Sequence, residues 1–223
     1  MPNATTKAEP KRKRGRPRAY DPDVALAQAT EVFWDSGFAA ASLDDLGAAM
    51  AMNRPSLYGA FGDKESLYLK TLARYRDDGE ARLKAALDPS RSLSEGLRAV
   101  YRRALAGYLA GDNGARGCFL IGTAATEAVL NPQVRALLAT SLRVFDHQFQ
   151  LRFKLARDAG EIDAASDPST LARLASAILH SLALRARAGD SKSSLDALAE
   201  SGLAMICAQC GAKEVAPRKQ RGA

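Results

Sequence analysis

Apolar residues recur along this chain at intervals of three and four, the period of a helix with one buried face, and no stretch offers a strand candidate. The first stripe, Ala25, Leu26, Ala29, Val32 and Phe33, opens at Asp21-Pro22-Asp23. Those three residues read as an N-cap, a proline at the first helical position and a first-turn acid. Gly37 is expected to stop this helix. Ser42 and Asp45 form a short capping box ahead of Leu43, Leu46 and Met50, which predicts a short second helix. Asn53 caps a third that carries Leu57 and Phe61. Gly62-Asp63 closes it and caps a fourth, whose Leu67, Leu69, Leu72 and Leu83 run to about Leu87 before Pro89.

Ser92 and Glu95 make another capping box, followed by Leu93, Leu97, Val100, Tyr101, Leu105 and Tyr108 up to Gly111. A glycine-rich loop, 111–117, leads into an apolar helix expected over 118–130. Asn131-Pro132 caps the next helix, to Gly160, and Asp167-Pro168 one that reaches Gly189. A last helix is expected from about Ser193 to Gly211. The prediction is an all-α chain of about nine helices.

Composition agrees: only 6% of the 223 residues are aromatic, while Ala, Leu, Arg and Glu recur throughout. The 47% hydrophobic content suits a soluble globular chain with one large domain or two small ones. Charge changes the picture more. The net charge is +7, but Lys7, Lys11, Arg12, Lys13, Arg14, Arg16 and Arg18 against Glu9 alone give residues 1–18 +6. The tail, 213–223, carries +3, so residues 19–212 carry −2. Both ends lack the apolar side chains of a core and are expected to be disordered, the first as a mobile basic arm.

Tyr20, Asp21, Pro22 and Asp23 follow the basic residues where a secretory signal would need an apolar run, and no uncharged apolar stretch approaches the ~18 residues of a membrane span. A cytoplasmic location without membrane association is expected. Three cysteines, Cys118, Cys207 and Cys210, do not indicate a disulfide framework. Cys207 and Cys210 have a CxxC spacing with no second pair and no nearby histidine, so no metal is expected.

Three short helices followed by a long one suit a groove reader better than a catalytic site. In a helix-turn-helix the second helix enters the major groove and flanking residues grip phosphates. Here 42–61 supplies the two helices, with Met50-Ala51-Met52-Asn53 as the turn. The runs Phe33-Trp34-Asp35-Ser36-Gly37-Phe38, Ser42-Leu43 with Leu46, and Asn53-Arg54-Pro55-Ser56-Leu57-Tyr58-Gly59-Ala60-Phe61-Gly62-Asp63-Lys64-Glu65-Ser66-Leu67 closely resemble the TetR family of transcriptional regulators.

The resemblance implies a DNA-binding headpiece over 19–66 and a helical ligand-binding and dimerisation domain over 67–212. It places Ser42 where a hydroxyl and backbone N–H can hold a phosphate, and Arg54, Pro55 and Ser56 at the exposed start of the recognition helix. Tyr58 and Lys64 match backbone-gripping positions. Arg54 has two open roles, a bidentate pair to guanine or a phosphate contact. The sequence departs from the family at Ala51, where glycine is usual, and at Pro55, where a small residue is usual. Leu57, Phe61 and Trp34 are expected in the core.

From Asp21 to Lys64 the only cations are Arg54 and Lys64, against Asp21, Asp23, Glu31, Asp35, Asp44, Asp45 and Asp63, a net −5. Such a headpiece approaches DNA poorly without the arm. Within the arm, Lys13-Arg14-Gly15-Arg16-Pro17-Arg18 resembles an AT-hook core, in which Arg14 and Arg16 would enter a narrow A·T minor groove. The alternative is a solvated charge run that attracts DNA without reading it.

Leu171, Leu174, Ile178, Leu179 and Leu182, then Leu195, Leu198, Leu203 and Ile206, are padded with Ala and Ser on the last two helices. They suit a four-helix homodimer interface or an ordinary intrachain core. The family holds its inducer among the middle helices. Tyr101, Tyr108, Phe119, Thr123, Glu127 and His147 are the aromatic and polar groups there, each either a pocket residue or a packed or exposed structural one. Cys118 is a buried structural thiol or, at a helix start two residues from Arg116, a redox sensor of lowered pKa.

Two scattered histidines, no phosphate-cradling glycine loop and no nucleophile motif speak against an enzyme, and no cofactor is implied. The reading is a ligand-responsive regulator, most simply a repressor that leaves a palindromic double-stranded operator when a small-molecule inducer binds. An architectural A·T-rich DNA-binding protein, without inducer, is the alternative, as is a thiol-based sensor.

Overall fold

The computed structural model describes residues 20–111 and 114–211; the basic arm with Arg14 and Arg16, and the basic tail, lie outside the described residues. Among the described residues the chain is all helical. The first four helices are α1 (Pro22–Ala40), α2 (Leu43–Ala49), α3 (Arg54–Phe61) and α4 (Lys64–Ala86). After α5 (Leu93–Leu109), a π-helical turn, Leu120–Ala124, runs into a single α-helical turn, Ala125–Glu127, together termed α6. Then come α7 (Pro132–Asp158), α8 (Pro168–Arg187) and α9 (Lys192–Gln209). None of the described helices is long and apolar enough to cross a membrane.

The helix starts lie where the capping residues place them. Asp21, Ser42, Asn53, Asp63, Ser92, Asn131, Asp167 and Ser191 each accept a first-turn backbone N–H, and Ser42–Asp45 and Ser92–Glu95 close reciprocal boxes. Gly37 breaks the helical run of α1 with φ 77 and ψ 169, as a stop signal should, but the chain turns helically again as far as Ala40. The third helix is anchored by Leu57 and Phe61, both buried.

The helix expected over 118–130 is interrupted. The backbone widens there into the π turn, within which Thr123 donates its hydroxyl to the carbonyl of Phe119 at 2.8 Å. Gly122 in this turn lies against Arg187 of α8, since a Cβ there would come within 2.9 Å of its Nη1.

Helix α8 is central, packed against α5, α7 and α9, while α1 packs on α4 and α4 on α7. This corrects part of the expected dimer face. Leu171, Leu179, Leu182, Leu195, Leu203 and Ile206 are buried inside the chain, because α8 is covered on three sides. Leu174 is exposed and Ile178 and Leu198 are half-buried; Leu184 and Met205, not anticipated from the spacing, are also exposed. Gly202 lets α9 approach α8 closely: a Cβ there would meet Ile178 Cδ1 at 2.8 Å.

Candidate nucleic-acid interface and ligand cavity

The start of α3 presents Arg54, Pro55 and Ser56 to solvent, and Tyr58 is 49% exposed one turn on. Pro55 sits within the first turn, where its missing N–H breaks no helical bond. Arg54 reaches back to α2, where its Nε and Nη2 donate to the two carboxylate oxygens of Asp44 at 2.9 and 2.7 Å. The guanidinium holds the Asp44 carboxyl below its ordinary range.

Ser42 is exposed at the start of α2, but its hydroxyl donates to Asp45 Oδ2 at 2.6 Å and its N–H is turned to the same carboxylate. Both groups expected on a phosphate are therefore engaged in the cap. Lys64 Nζ donates to the Ala39 carbonyl at 3.4 Å and lies 4.7 Å from the Phe38 ring. Lys70, which sequence reading missed, donates to the Phe61 carbonyl at 2.8 Å. The two lysines thus cap the C-terminal ends of α1 and α3, where helix dipoles favour cations. A second lysine six residues along α4 was the available signal.

The turn between α2 and α3 explains two small residues. Met52 N–H reaches the Gly47 carbonyl at 2.8 Å and Ala51 N–H that of Ala48 at 3.2 Å, the Schellman pattern. It requires a left-handed residue, and Ala51 takes φ 49 without being glycine. Gly47 faces the returning chain, and a Cβ there would stand 2.7 Å from the Met52 carbonyl oxygen.

Residues 25–71 match the family described as bacterial regulatory proteins, tetR family, and residues 94–201 match the tetracyclin repressor-like, C-terminal domain. The HTH-type transcriptional repressor ComR of Escherichia coli is 32% identical over 182 residues, 81% of this chain and 86% of that protein. The chain belongs to the TetR family of transcriptional regulators. The TetR family transcriptional regulator CifR, in a structure with 26bp double-strand operator DNA, is 33% identical with a TM-score of 0.73, covering 85% of this chain and 98% of that one. Reduced NemR of E. coli has a TM-score of 0.74 at 18% identity over 86% and 98% of the two chains, a likeness of fold. The family's members are regulators that bind DNA, not enzymes.

In this TetR-family chain a cavity of about 480 Å³ opens between α1, α4, α5 and the loop before α6. Its apolar wall includes Trp34, Leu83, Val100, Phe145 and Leu179, and its polar groups include Glu31, Arg74, Tyr75, Asp78, Arg82, Arg103, Tyr108 and Arg116. Of the six residues expected at a ligand, Tyr108 alone lines it. Tyr101 is buried elsewhere, with its hydroxyl on the Ala175 carbonyl at 3.2 Å. Phe119 is core, packed against Trp34, Tyr68 and Tyr75. Thr123 accepts the Tyr68 hydroxyl at 2.8 Å, Glu127 is half-buried in α6, and His147 is exposed on α7.

Sequence reading placed Trp34 in the core alone, named Arg116 only beside Cys118, and did not single out Tyr75, Arg74, Arg82 or Arg103. The signal lay on α4, where Tyr75, Gly79, Arg82 and Ala86 form a stripe at helical spacing that is neither wholly apolar nor wholly charged.

Cys118 also lines the cavity, but not as a low-pKa thiol. Burial pushes its pKa up, outweighing the downward pull of the helix-start N–H groups and of the Tyr75 hydroxyl, 3.6 Å from its sulfur. Arg116 does not serve the thiol; its guanidinium lies 4.2 Å over the Trp34 ring and pairs with Glu31. Tyr75 and Tyr108 are likewise pushed well up by burial and by Cys118 beside them. Trp34 Nε1–H donates to the Arg116 carbonyl at 3.3 Å, so α1 is fastened to this loop through both its acid and its indole.

Proposed function

We propose that this protein is a ligand-responsive, homodimeric repressor that binds a palindromic operator and is released from it by a small molecule in the cavity. The observation that carries this reading is that the cavity's walls belong to the reading head's own supports. Ala27, Thr30, Glu31 and Trp34 come from α1, and 74–86 from α4, the helix that follows the recognition helix directly. A ligand that alters the α1–α4 separation therefore changes the position of α3, and operator affinity falls by the ligand's preference for that arrangement.

In this reading Arg54, Pro55 and Ser56 face the major groove, and Ser42, Tyr58 and Lys64 flank it at the backbone, Ser42 after exchanging Asp45 for a phosphate. The exposed Leu174, Leu184 and Met205 on α8 and α9 support a twofold interface there, which sets two recognition helices about 34 Å apart. The basic arm supplies the charge that the acidic headpiece lacks, and its Arg14-Gly15-Arg16-Pro17 run supports entry into an A·T minor groove.

DNA selected from a random pool by the full-length protein tests this. One pseudo-palindrome with half-sites a helical turn apart is the expected outcome. Enrichment of A·T tracts without dyad symmetry would refute it in favour of an architectural role.

A further inference from the structure

The cavity is unevenly charged. Arg74, Arg82, Arg103 and Arg116 face it with Glu31 and Asp78, a net charge of +2. Both acids are already committed, Glu31 to Arg116 and Asp78 to Arg74 at 3.8 Å. Arg74 also donates to the Asp23 carbonyl. Among the described residues, no carboxylate lies within ion-pair distance of Arg82 or Arg103. Arg82 is folded over the cavity: its guanidinium carbon lies 5.8 Å from the Tyr75 ring centre and its Nη2 is close to Gly79. Gly107 leaves the α5 wall open, with no atom within 4 Å of where a Cβ would stand. The same cavity is also lined by aromatic and aliphatic side chains, Trp34, Leu83 and Phe145.

We propose that the cavity binds an amphipathic organic anion, whose acid group is taken by Arg82 and Arg103 and whose apolar body lies against Trp34, Tyr75 and Phe145. The assignment rests on the ligand-responsive reading above. Both guanidinium groups are exposed at the cavity's edge, so a neutral ligand would leave them to water alone, and a cationic one would add to the excess of positive charge. An anion gains charge-assisted hydrogen bonds from arginine, and its approach is favoured by the potential of a cleft lined by one sign of charge. The apolar wall excludes a small hydrated ion as the preferred occupant, because it would leave that surface uncovered.

Trp34 is the only tryptophan of the chain and lines the cavity, so its emission reports occupancy directly. Four probes separate the terms: 4-phenylbutyrate, 4-phenylbutanamide, 4-phenylbutylamine and inorganic phosphate. The acid is expected to change Trp34 emission saturably and to bind at least about tenfold more tightly than the amide, with the amine and phosphate weaker still. Arg82→Gln with Arg103→Gln should bring acid and amide to equal affinity, while Arg102→Gln, on the same helix but outside this cavity, should leave the preference intact. Equal or tighter binding of the amide or amine, no saturable response to the acid, or a preference that survives the double substitution would each overturn the assignment. Anisotropy of a selected operator duplex separates this from the release reading. An acid that binds as described yet leaves operator affinity unchanged sinks release and keeps the ligand class; a neutral compound that releases the operator does the reverse.

Discussion

Asp44 and Arg54 face each other across the helix-turn-helix in a two-pronged ion pair that fixes the guanidinium before any DNA arrives. The carboxylate both orients the arginine and repels phosphate. Asp44→Asn is therefore expected to raise affinity for random-sequence duplex several-fold while narrowing the ratio of operator to random binding. Anisotropy on both duplexes at two salt concentrations checks it; an unchanged ratio would leave Asp44 no part in specificity. Arg54→Ala separates the arginine's two roles: a base contact costs about tenfold or more at one operator position, whereas a phosphate contact weakens all sequences alike and lowers the salt slope by about one.

The left-handed backbone of Ala51 predicts that Ala51→Gly stabilises the fold by about 1 kcal/mol, since L-residues with a Cβ pay roughly that in this region. Gly47→Ala should act oppositely, costing about 1–3 kcal/mol, because its new methyl meets a backbone oxygen that cannot turn aside. Urea denaturation at fixed protein concentration measures both. A destabilised Ala51→Gly would show that the turn tolerates alanine without strain.

Tyr68 and Thr123 are both buried and share one hydrogen bond of 2.8 Å, from α4 to the π turn. Burial pushes the tyrosine up to about 12, so its hydroxyl stays a donor at ordinary pH. Tyr68→Phe removes that donor while Thr123 keeps the Phe119 carbonyl, and about 1 kcal/mol should be lost. Thr123→Val strands the tyrosine hydroxyl and should cost more, up to about 3 kcal/mol. Equal losses in the two variants would contradict the asymmetry.

His180 on α8 has its pKa lowered by burial, with Asp146 of α7 pulling weakly the other way. The folded state therefore disfavours the imidazolium. Its contribution is complete above the unfolded value of about 6.5 and is lost as pH falls through the lower folded value. Stability should decline between pH 7 and pH 5 in the parent and decline less in His180→Gln, at one protein concentration so that association does not confound the comparison. Parallel pH profiles would remove His180 from the account.

Deleting residues 2–18 removes seven Lys and Arg and should weaken operator binding and flatten its dependence on salt, by about 0.9 in slope for each phosphate that the arm no longer neutralises. Titrations across a salt series decide it; an unchanged slope would sink the arm's role.

Local signals were legible because each is complete within a few residues. Asn53 with Ser56, or Ser92 with Glu95, closes a cap whatever lies elsewhere in the chain, so helix starts could be read directly. The π turn could not, since Thr123 and Gly122 adopt it in company with Tyr68 and Arg187, which are distant in sequence. The cavity was opaque for the same reason. His147 and Arg82 look equally suitable in sequence and both are exposed, and only the packing of α4 on α1 and α5 sets Arg82 at the cavity and leaves His147 away from it. On α8 the stripe of leucines was visible, but its division between the chain's own core and an outer face depends on three neighbouring helices.

The aromatic cluster of Phe33, Phe38, Tyr68 and Phe119 joins α1, α4 and the π turn without regard to any border near residue 66. A chimaera built by exchanging reading heads at that point would cut through one continuous core. To transplant the operator preference of this protein, a designer must carry the underside of α1 and the first turns of α4 together with their partners around Phe119, or confine the exchange to the exposed residues of α2 and α3.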